Sequence, residues 1–267
     1  VAVCVHGGVR SFTHRVVHTS LRENILLSFN ASYLRVFFVL NLTSERCAWD
    51  GSSEVRRFTE AEVRPSLEAA AGSALAAFIA EAPCCRPQLS PGLSEQDCYY
   101  DQLSGPAEFH GVEKCQAEIE AHERASGVAF DWVFITRPDV FWNFPIGDIR
   151  WFAPNRVHAP KLSKIELSDM FQLVPRRRLA LVASTFRDPV TNFTTHFCIT
   201  KQQRYLLIRG KLCDLPGYRH CQRCFFGSPG CMLELLLRKH GVKIAHVPEE
   251  ICTRTPRWMN VELGSSA

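Results

Sequence analysis

Val1-Ala2-Val3-Cys4-Val5 is a continuous apolar run that ends at Gly7-Gly8. That is the pattern of a strand buried on both faces and followed by a tight turn. Ser11 is placed to cap a helix reaching about Phe29, with Val17, Leu21, Ile25 and Phe29 on one stripe. From Leu34 to Leu40 the chain is apolar except for Arg35, which predicts a second strand. Strand, helix and strand in immediate succession predict a βαβ unit, and hence parallel strands joined by a right-handed crossover.

The stretch from Asn41 to Asp101 is broken by Pro65, Pro83, Pro87 and Pro91. Within it, the alanine-rich run Leu67 to Ala82 predicts a helix, and Cys84-Cys85 among prolines predicts a disulfide-bearing loop. Glu108 to Ser126 has helical periodicity, with Cys115, Ile119 and His122 on one face and Gly127 as its stop. Phe130 to Thr136 reads as a strand that runs straight into Arg137-Pro138-Asp139, and Val140-Phe141-Trp142 beyond it reads as core or pocket wall. Val157 to Ala159 and Phe171 to Val174 read as strands, and Leu179 to Ala183 as a short helix. Ser228 as N-cap and Pro229 in the first turn open a further helix with Met232, Leu233, Leu236 and Leu237 inward. Lys239 and His240 suit its C-terminal end, Gly241 closes it, and Val242 to Val247 follows as a strand. The order predicts one α/β domain over residues 1–267, Rossmann-like, with a mainly parallel central sheet flanked by helices and a flexible tail over 260–267.

Composition agrees with a packed globular chain: 46% hydrophobic and 22% charged over 267 residues. A net charge of +4 with a single dense basic run, Arg176-Arg177-Arg178, does not make the basic stripe that nucleic acid requires. That run reads as a solvated turn, and no nucleic-acid partner is expected. Twelve dispersed cysteines, with sequons at Asn30, Asn41 and Asn192, point to an oxidising, lumenal or secreted setting and a disulfide framework. No apolar run approaches the roughly 18 residues of a membrane span. The chain opens directly on a core strand, so a targeting or membrane-anchoring segment is expected upstream.

In an open parallel sheet, ligands bind beyond the carboxyl ends of the strands. Two polar segments fall at such ends. In His6-Gly7-Gly8-Val9-Arg10 the glycines let backbone amides approach a ligand and Arg10 can meet a phosphate; the plainer reading is a tight turn with a surface arginine. In Arg137-Pro138-Asp139 the proline biases Arg137 to extended backbone, so Arg137 and Asp139 project to similar sides. An acid beside a cation at a strand end suits a diphosphate or a divalent metal held through oxygen; the plainer reading is a salt-bridged turn. Cys213, His220, Cys221, Cys224 and Cys231 lie close together and read as disulfides or, less favoured, as a structural zinc site.

A first strand ending Gly-Gly-x-Arg, a mid-chain strand ending Arg-Pro-Asp and a later Ser168-Asp169-Met170-Phe171, in this order, resemble nucleotide-sugar glycosyltransferases of the GT-A type. The resemblance spans roughly Val3 to Arg254. It implies a nucleoside diphosphate sugar as donor, with Gly7, Gly8 and Arg10 lining the nucleotide. Asp139 stands where the family carries the last acid of an Asp-x-Asp motif that holds Mn²⁺ or Mg²⁺. Arg137 departs from the first acid of that motif, and a cation there can neutralise the departing diphosphate instead. Asp169 is the candidate base toward an acceptor hydroxyl, or else an aspartate that caps a turn. Arg254 and Arg257, after the last strand, are candidates to return to the phosphates, and His246 is placed near that strand end. Glu234 is read as either a pocket carboxylate or a solvated helical one. The implied acceptor is a glycan, glycoprotein or glycolipid, and the implied location the Golgi lumen. Two rival readings are a non-catalytic carbohydrate-binding or scaffold domain of the same fold, and a zinc-stabilised interaction module.

Overall fold

The computed structural model describes residues 1–42, 57–81, 104–163, 166–168, 170–186 and 229–254. The first unit is β1 (Ala2–Gly8), α1 (Arg15–Leu21) and β2 (Arg35–Asn41). As the sequence predicts, β1 and β2 are parallel neighbours, with Val3 opposite Val36 and Gly8 opposite Asn41. Helix α1 begins later than expected: His14, not Ser11, is its N-cap residue, and its backbone continues through a π-helical turn over Arg22–Leu26. Its predicted stripe is the buried one, since Val17, Leu21, Ile25 and Phe29 are all at most 3% exposed.

The alanine-rich stretch is not one helix. Helix α2 (Glu60–Ala71) ends at Gly72, and β3 (Leu75–Glu81) then adds in parallel to the far side of β2. The helix start is fixed by a capping box: Thr59 Oγ1 accepts from the Glu62 N–H at 3.3 Å while Glu62 Oε2 accepts from the Thr59 N–H at 2.6 Å. Pro65 lies inside α2 and does not break it. Gly72, at φ +53°, turns the chain out of the helix.

Helix α3 (Ser104–Ser126) leads through Gly127 to β4 (Trp132–Thr136), which lies parallel to β1 on the side away from β2. There follow β5 (Val140–Trp142), β6 (Arg156–Ser163), β7 (Glu166–Leu167), β8 (Phe171–Pro175), α4 (Leu179–Ala183), α5 (Pro229–Lys239), β9 (Lys243–Val247) and β10 (Cys252–Arg254). The main sheet runs β3-β2-β1-β4-β8-β6-β7, with β9 paired to β6. Strands β3, β2, β1 and β4 form its parallel half. Beyond them β8 is antiparallel to both β4 and β6, whereas β9 is parallel to β6. β5 and β10 make a separate antiparallel ribbon. No described helix is long and apolar enough to cross a membrane.

The central strands are covered on both sides, which is why they read as unbroken apolar runs. Val3, Val5 and Phe134 pack with Leu21 and Ile25 of the α1 segment and with Val63 and Leu67 of α2. Cys4, Val133 and Ile135 face the other way, onto Cys115 and Ile119 of α3, Val182 of α4 and Leu233 of α5. Through that second layer a Cys4–Cys115 disulfide joins β1 to α3, its Cα atoms 5.9 Å apart. Cys252 is buried, with its Sγ 3.9 Å from the Met170 Sδ; the side chains of the other cysteines, including the cluster at 213–224 and Cys231, lie outside the described residues, as does the tail.

Candidate functional site at the carboxyl ends of β1 and β4

Parallel β1 and β4 place the ends of two polar segments side by side. Gly7, next to last in β1, stands at φ +122°, and a Cβ on it would stand 3.4 Å from the Pro138 Cδ. That backbone conformation is one an L side chain rarely adopts, so glycine is needed for the turn itself. Val9 donates its N–H to the Asn41 carbonyl at 3.0 Å, which ties the turn to the end of β2. Arg10 then takes a left-handed conformation, φ +41°, uncommon for a residue with a side chain. Opposite, the Met170 carbonyl accepts from Thr136 Oγ1 at 3.0 Å and faces the Arg137 N–H at 3.4 Å, holding the end of β4 against the start of β8.

The three charged side chains converge. Arg137 grips Asp139 with two parallel bonds, Nε to Oδ1 at 2.9 Å and Nη2 to Oδ2 at 2.9 Å. Arg10 donates from Nη1 to the same Oδ2 at 2.5 Å. Asp139 is 7% exposed. Burial alone would raise its pKa, but the Arg137 and Arg10 guanidiniums more than reverse this and hold the carboxyl well below the usual carboxylate range. Arg10 and Arg137 thus bring two guanidiniums to one carboxylate. Arg137 is nearly enclosed, its side chain 14% exposed, whereas Arg10 is 35% exposed, so the outward-facing cation is Arg10.

The floor beside this group is β5. Ser20 Oγ accepts from the Trp142 N–H at 3.1 Å, and Asn24 donates to the Trp142 carbonyl at 2.7 Å. Ser20 of α1 and Asn24 of the π-helical turn after it thus hold both backbone groups of that residue. These two residues are missed by a reading of apolar stripes alone. Their signal is polar side chains of small size at i and i+4 beside the buried positions 17, 21 and 25. β10 lies antiparallel to β5, with Arg254 opposite Val140 and Cys252 opposite Trp142. The backbone of Arg254 is therefore brought beside the residue that follows Asp139.

Of the expected site residues, the structure gathers Gly7, Gly8, Arg10, Arg137 and Asp139 at one place, with the backbone of Arg254 alongside. Asp169, Arg257 and the Arg254 side chain lie outside the described residues. Glu234 is buried in α5, at 5% exposure, which corrects the solvated reading; its Oε1 accepts from Arg238 Nε at 2.8 Å. His246 is an exposed position next to the last residue of β9, opposite Ala159, near the strand end as expected.

The residues present at Asp139 do not fit a divalent cation. A metal ligand needs available oxygen lone pairs and neighbouring oxygen donors; here three guanidinium bonds already fall on the carboxylate, and its neighbours at both oxygens are cations. Among the described residues no three His, Cys, Asp or Glu side chains group as a metal would require.

Fold and site together define an α/β protein whose strand ends present a fixed cation in a glycine turn. No protein-family model matches the sequence, and no curated protein matches it. Among solved structures it is similar to the glycosyltransferase GlyE of Streptococcus pneumoniae TIGR4, with TM-score 0.39 and 8% identity over 92% of this chain and 44% of that one. The chain thus spans less than half the length of that protein. It is also similar to mouse xyloside xylosyltransferase 1 in its apo form, with TM-score 0.39 and 11% identity over 92% of this chain and 85% of that one. A third is the galactosyltransferase LgtC in complex with donor and acceptor sugar analogues, with TM-score 0.35 and 10% identity over 92% and 73%. Likeness at this depth assigns no activity to this chain.

Proposed function

We propose that the chain is a glycosyltransferase that moves a sugar from a nucleoside diphosphate sugar to an acceptor hydroxyl. The observation that carries the reading is the placement of Arg10. It is a partly exposed guanidinium, fixed in a glycine turn at the carboxyl end of a central parallel strand. When a glycosidic donor bond breaks, negative charge grows on the departing diphosphate, and a cation fixed in advance stabilises that charge without reorganising. Gly7 and Gly8 leave backbone room for the nucleotide, and Arg254, paired opposite Val140, is the candidate second cation. Asp169 is the candidate base for the acceptor hydroxyl. The acceptor is a glycan on protein or lipid, or a free one.

The proposed setting is the lumen of the secretory pathway, with the Golgi as the expected site. It is supported by the Cys4–Cys115 disulfide, by the sequons and by the number of cysteines.

A thermal-shift screen against UDP, GDP, CMP and their sugars, with and without Mn²⁺, tests the reading. A nucleotide-dependent rise in midpoint is expected for the wild type, reduced in Arg10→Ala. No rise with any nucleotide would overturn it. The rival reading, a carbohydrate-binding domain without catalysis, is favoured by Arg137 standing where the resemblance expects an acid. It would be selected by a rise with glycans alone.

A further inference from the structure

We infer that Asp139 is a positioning residue for Arg10, and that this site meets a diphosphate with the Arg10 guanidinium and no divalent cation. The inference rests on the nucleotide reading above and adds how the charge is supplied.

The case begins with the Asp139 oxygens. Oδ1 accepts from Arg137, and Oδ2 accepts from both Arg137 and Arg10. An incoming Mn²⁺ or Mg²⁺ would have to share this carboxylate with two arginines and stand beside their positive charges. The opposite assignment needs no rearrangement. Arg137 and Asp139 form a bidentate pair two residues apart on one strand end, which fixes the carboxylate plane. That plane in turn fixes Nη1 of Arg10. A guanidinium carries five N–H donors; Nη1 of Arg10 is directed to Asp139, and the side chain stays 35% exposed, which leaves donors to meet a ligand. The left-handed backbone of Arg10, φ +41°, is a conformation that surrounding contacts must sustain, and the Asp139 pair is one of them.

The arrangement explains why an arginine in the first position of the motif is compatible with the same task. With an acid there, the strand end is negative and must recruit a metal before a diphosphate can approach. With Arg137 there, guanidinium groups already engage the carboxylate, and Arg10, its side chain 35% exposed, is the cation a diphosphate can meet.

The test is calorimetric titration of UDP, GDP and CDP into the whole chain, once with EDTA and once with Mn²⁺, together with Mn²⁺ titrated alone. Wild type, Asp139→Asn, Asp139→Glu and Arg10→Lys are compared. The expected result is one nucleotide whose Kd is the same with EDTA and with Mn²⁺, and no saturable Mn²⁺ binding. Asp139→Asn should weaken that nucleotide about tenfold or more, the order expected for a hydrogen bond to a charged group, with unchanged near-UV dichroism. Asp139→Glu should recover part of the loss, which a merely structural role would not produce. A Kd at least tenfold tighter with Mn²⁺, with that gain abolished in Asp139→Asn, would make Asp139 a metal ligand and overturn the inference. If Asp139→Asn does not fold, the EDTA comparison and Arg10→Lys, expected to weaken binding without creating metal dependence, decide the matter. No binding of any nucleoside diphosphate in either condition overturns the nucleotide reading itself, a result distinct from metal-dependent binding.

Discussion

Arg10 and Asp139 are separated by 129 positions in the chain, yet their Nη1 and Oδ2 atoms stand 2.5 Å apart. The contact exists because β1 and β4 are adjacent and parallel, with Val5 opposite Thr136. The two turns that follow must then leave the sheet at the same edge. The pairing gives stability and ligand binding opposite demands at one residue. Arg10→Gly relieves the left-handed backbone but removes the guanidinium. Its thermal midpoint is expected to fall by less than that of Arg10→Ala, while nucleotide binding is lost equally in both. Differential scanning calorimetry beside titration calorimetry checks this, and a midpoint lower in the glycine variant would contradict it.

Gly7 and Gly111 bear on the same strand end from different sides. Gly7→Ala forces an L residue to φ +122°, an expected loss of about 1–3 kcal/mol, with weaker ligand binding because the Arg10 turn moves. At Gly111 of α3 an added Cβ would meet the His6 Nδ1 at 2.9 Å and its Cβ at 3.0 Å. These atoms lie at the root of the His6 side chain and cannot swing away. Overpacking of about 1–3 kcal/mol therefore outweighs the gain in helix propensity of about 1 kcal/mol. Gly111→Ala should lower stability in urea unfolding, and a neutral or stabilised variant would show the approach to be looser than described.

Acid sensitivity has a definite sign. Burial lowers the pKa of His18 and of His158, the latter packed between Trp132 and Phe152 with Nε2 3.1 Å from the Ala153 carbonyl. Folding therefore favours the neutral form of each ring. Their contribution is complete above the unfolded histidine pKa of about 6.5 and is lost as pH falls, because the unfolded chain takes up the proton first. Asp139, also lowered, adds a loss only below the unfolded carboxylate pKa of about 4. Urea midpoints should therefore decline from about pH 6.5 downward. His158→Phe, which keeps a ring for the tilted contact with Trp132 and the edge-on contact with Phe152, should flatten the upper part of that decline, and an unchanged slope would remove His158 from the account.

Ser20→Ala and Asn24→Ala free the backbone of Trp142 without touching the Arg10 group. Each is expected to cost about 1–3 kcal/mol, because a buried backbone group is left unpaired. Nucleotide binding should weaken as well if Arg254 belongs to the site, since β10 is carried on β5. Wild-type affinity in both variants would separate Arg254 from the site.

How far the chain could be read in advance follows from where its information lies. The β1–α1–β2 unit was legible because Val1 to Val5 and Val36 to Leu40 are apolar without interruption, and the stripe from Val17 to Phe29 has helical spacing. β3 was not legible. Leu75-Ala-Ala-Phe-Ile-Ala follows an alanine-rich helix with only Gly72-Ser73-Ala74 between them, and alanine marks no strand; its assignment comes from the neighbour β2. The capping box at Thr59-x-x-Glu62 was present in the sequence and marks the true start of α2. β5 and β10, three residues each, are too short for any period to show. At the site, Arg10, Arg137 and Asp139 stood out as residue types at strand ends, but the bonds among Arg10, Arg137 and Asp139 depend on strand order, which no local pattern records. The Cys4–Cys115 pairing is of the same kind: one partner sits in a central strand and the other in a helix 111 positions later.

That disulfide has both cysteines at zero exposure, in the layer between sheet and helices. Thiol–disulfide exchange needs an attacking thiolate to reach a sulfur atom, and none can do so while the sheet and α3 are packed together. The bond is consequently sealed at the moment the core closes. It keeps a memory of the redox conditions in which the chain folded and is blind to those it meets afterwards.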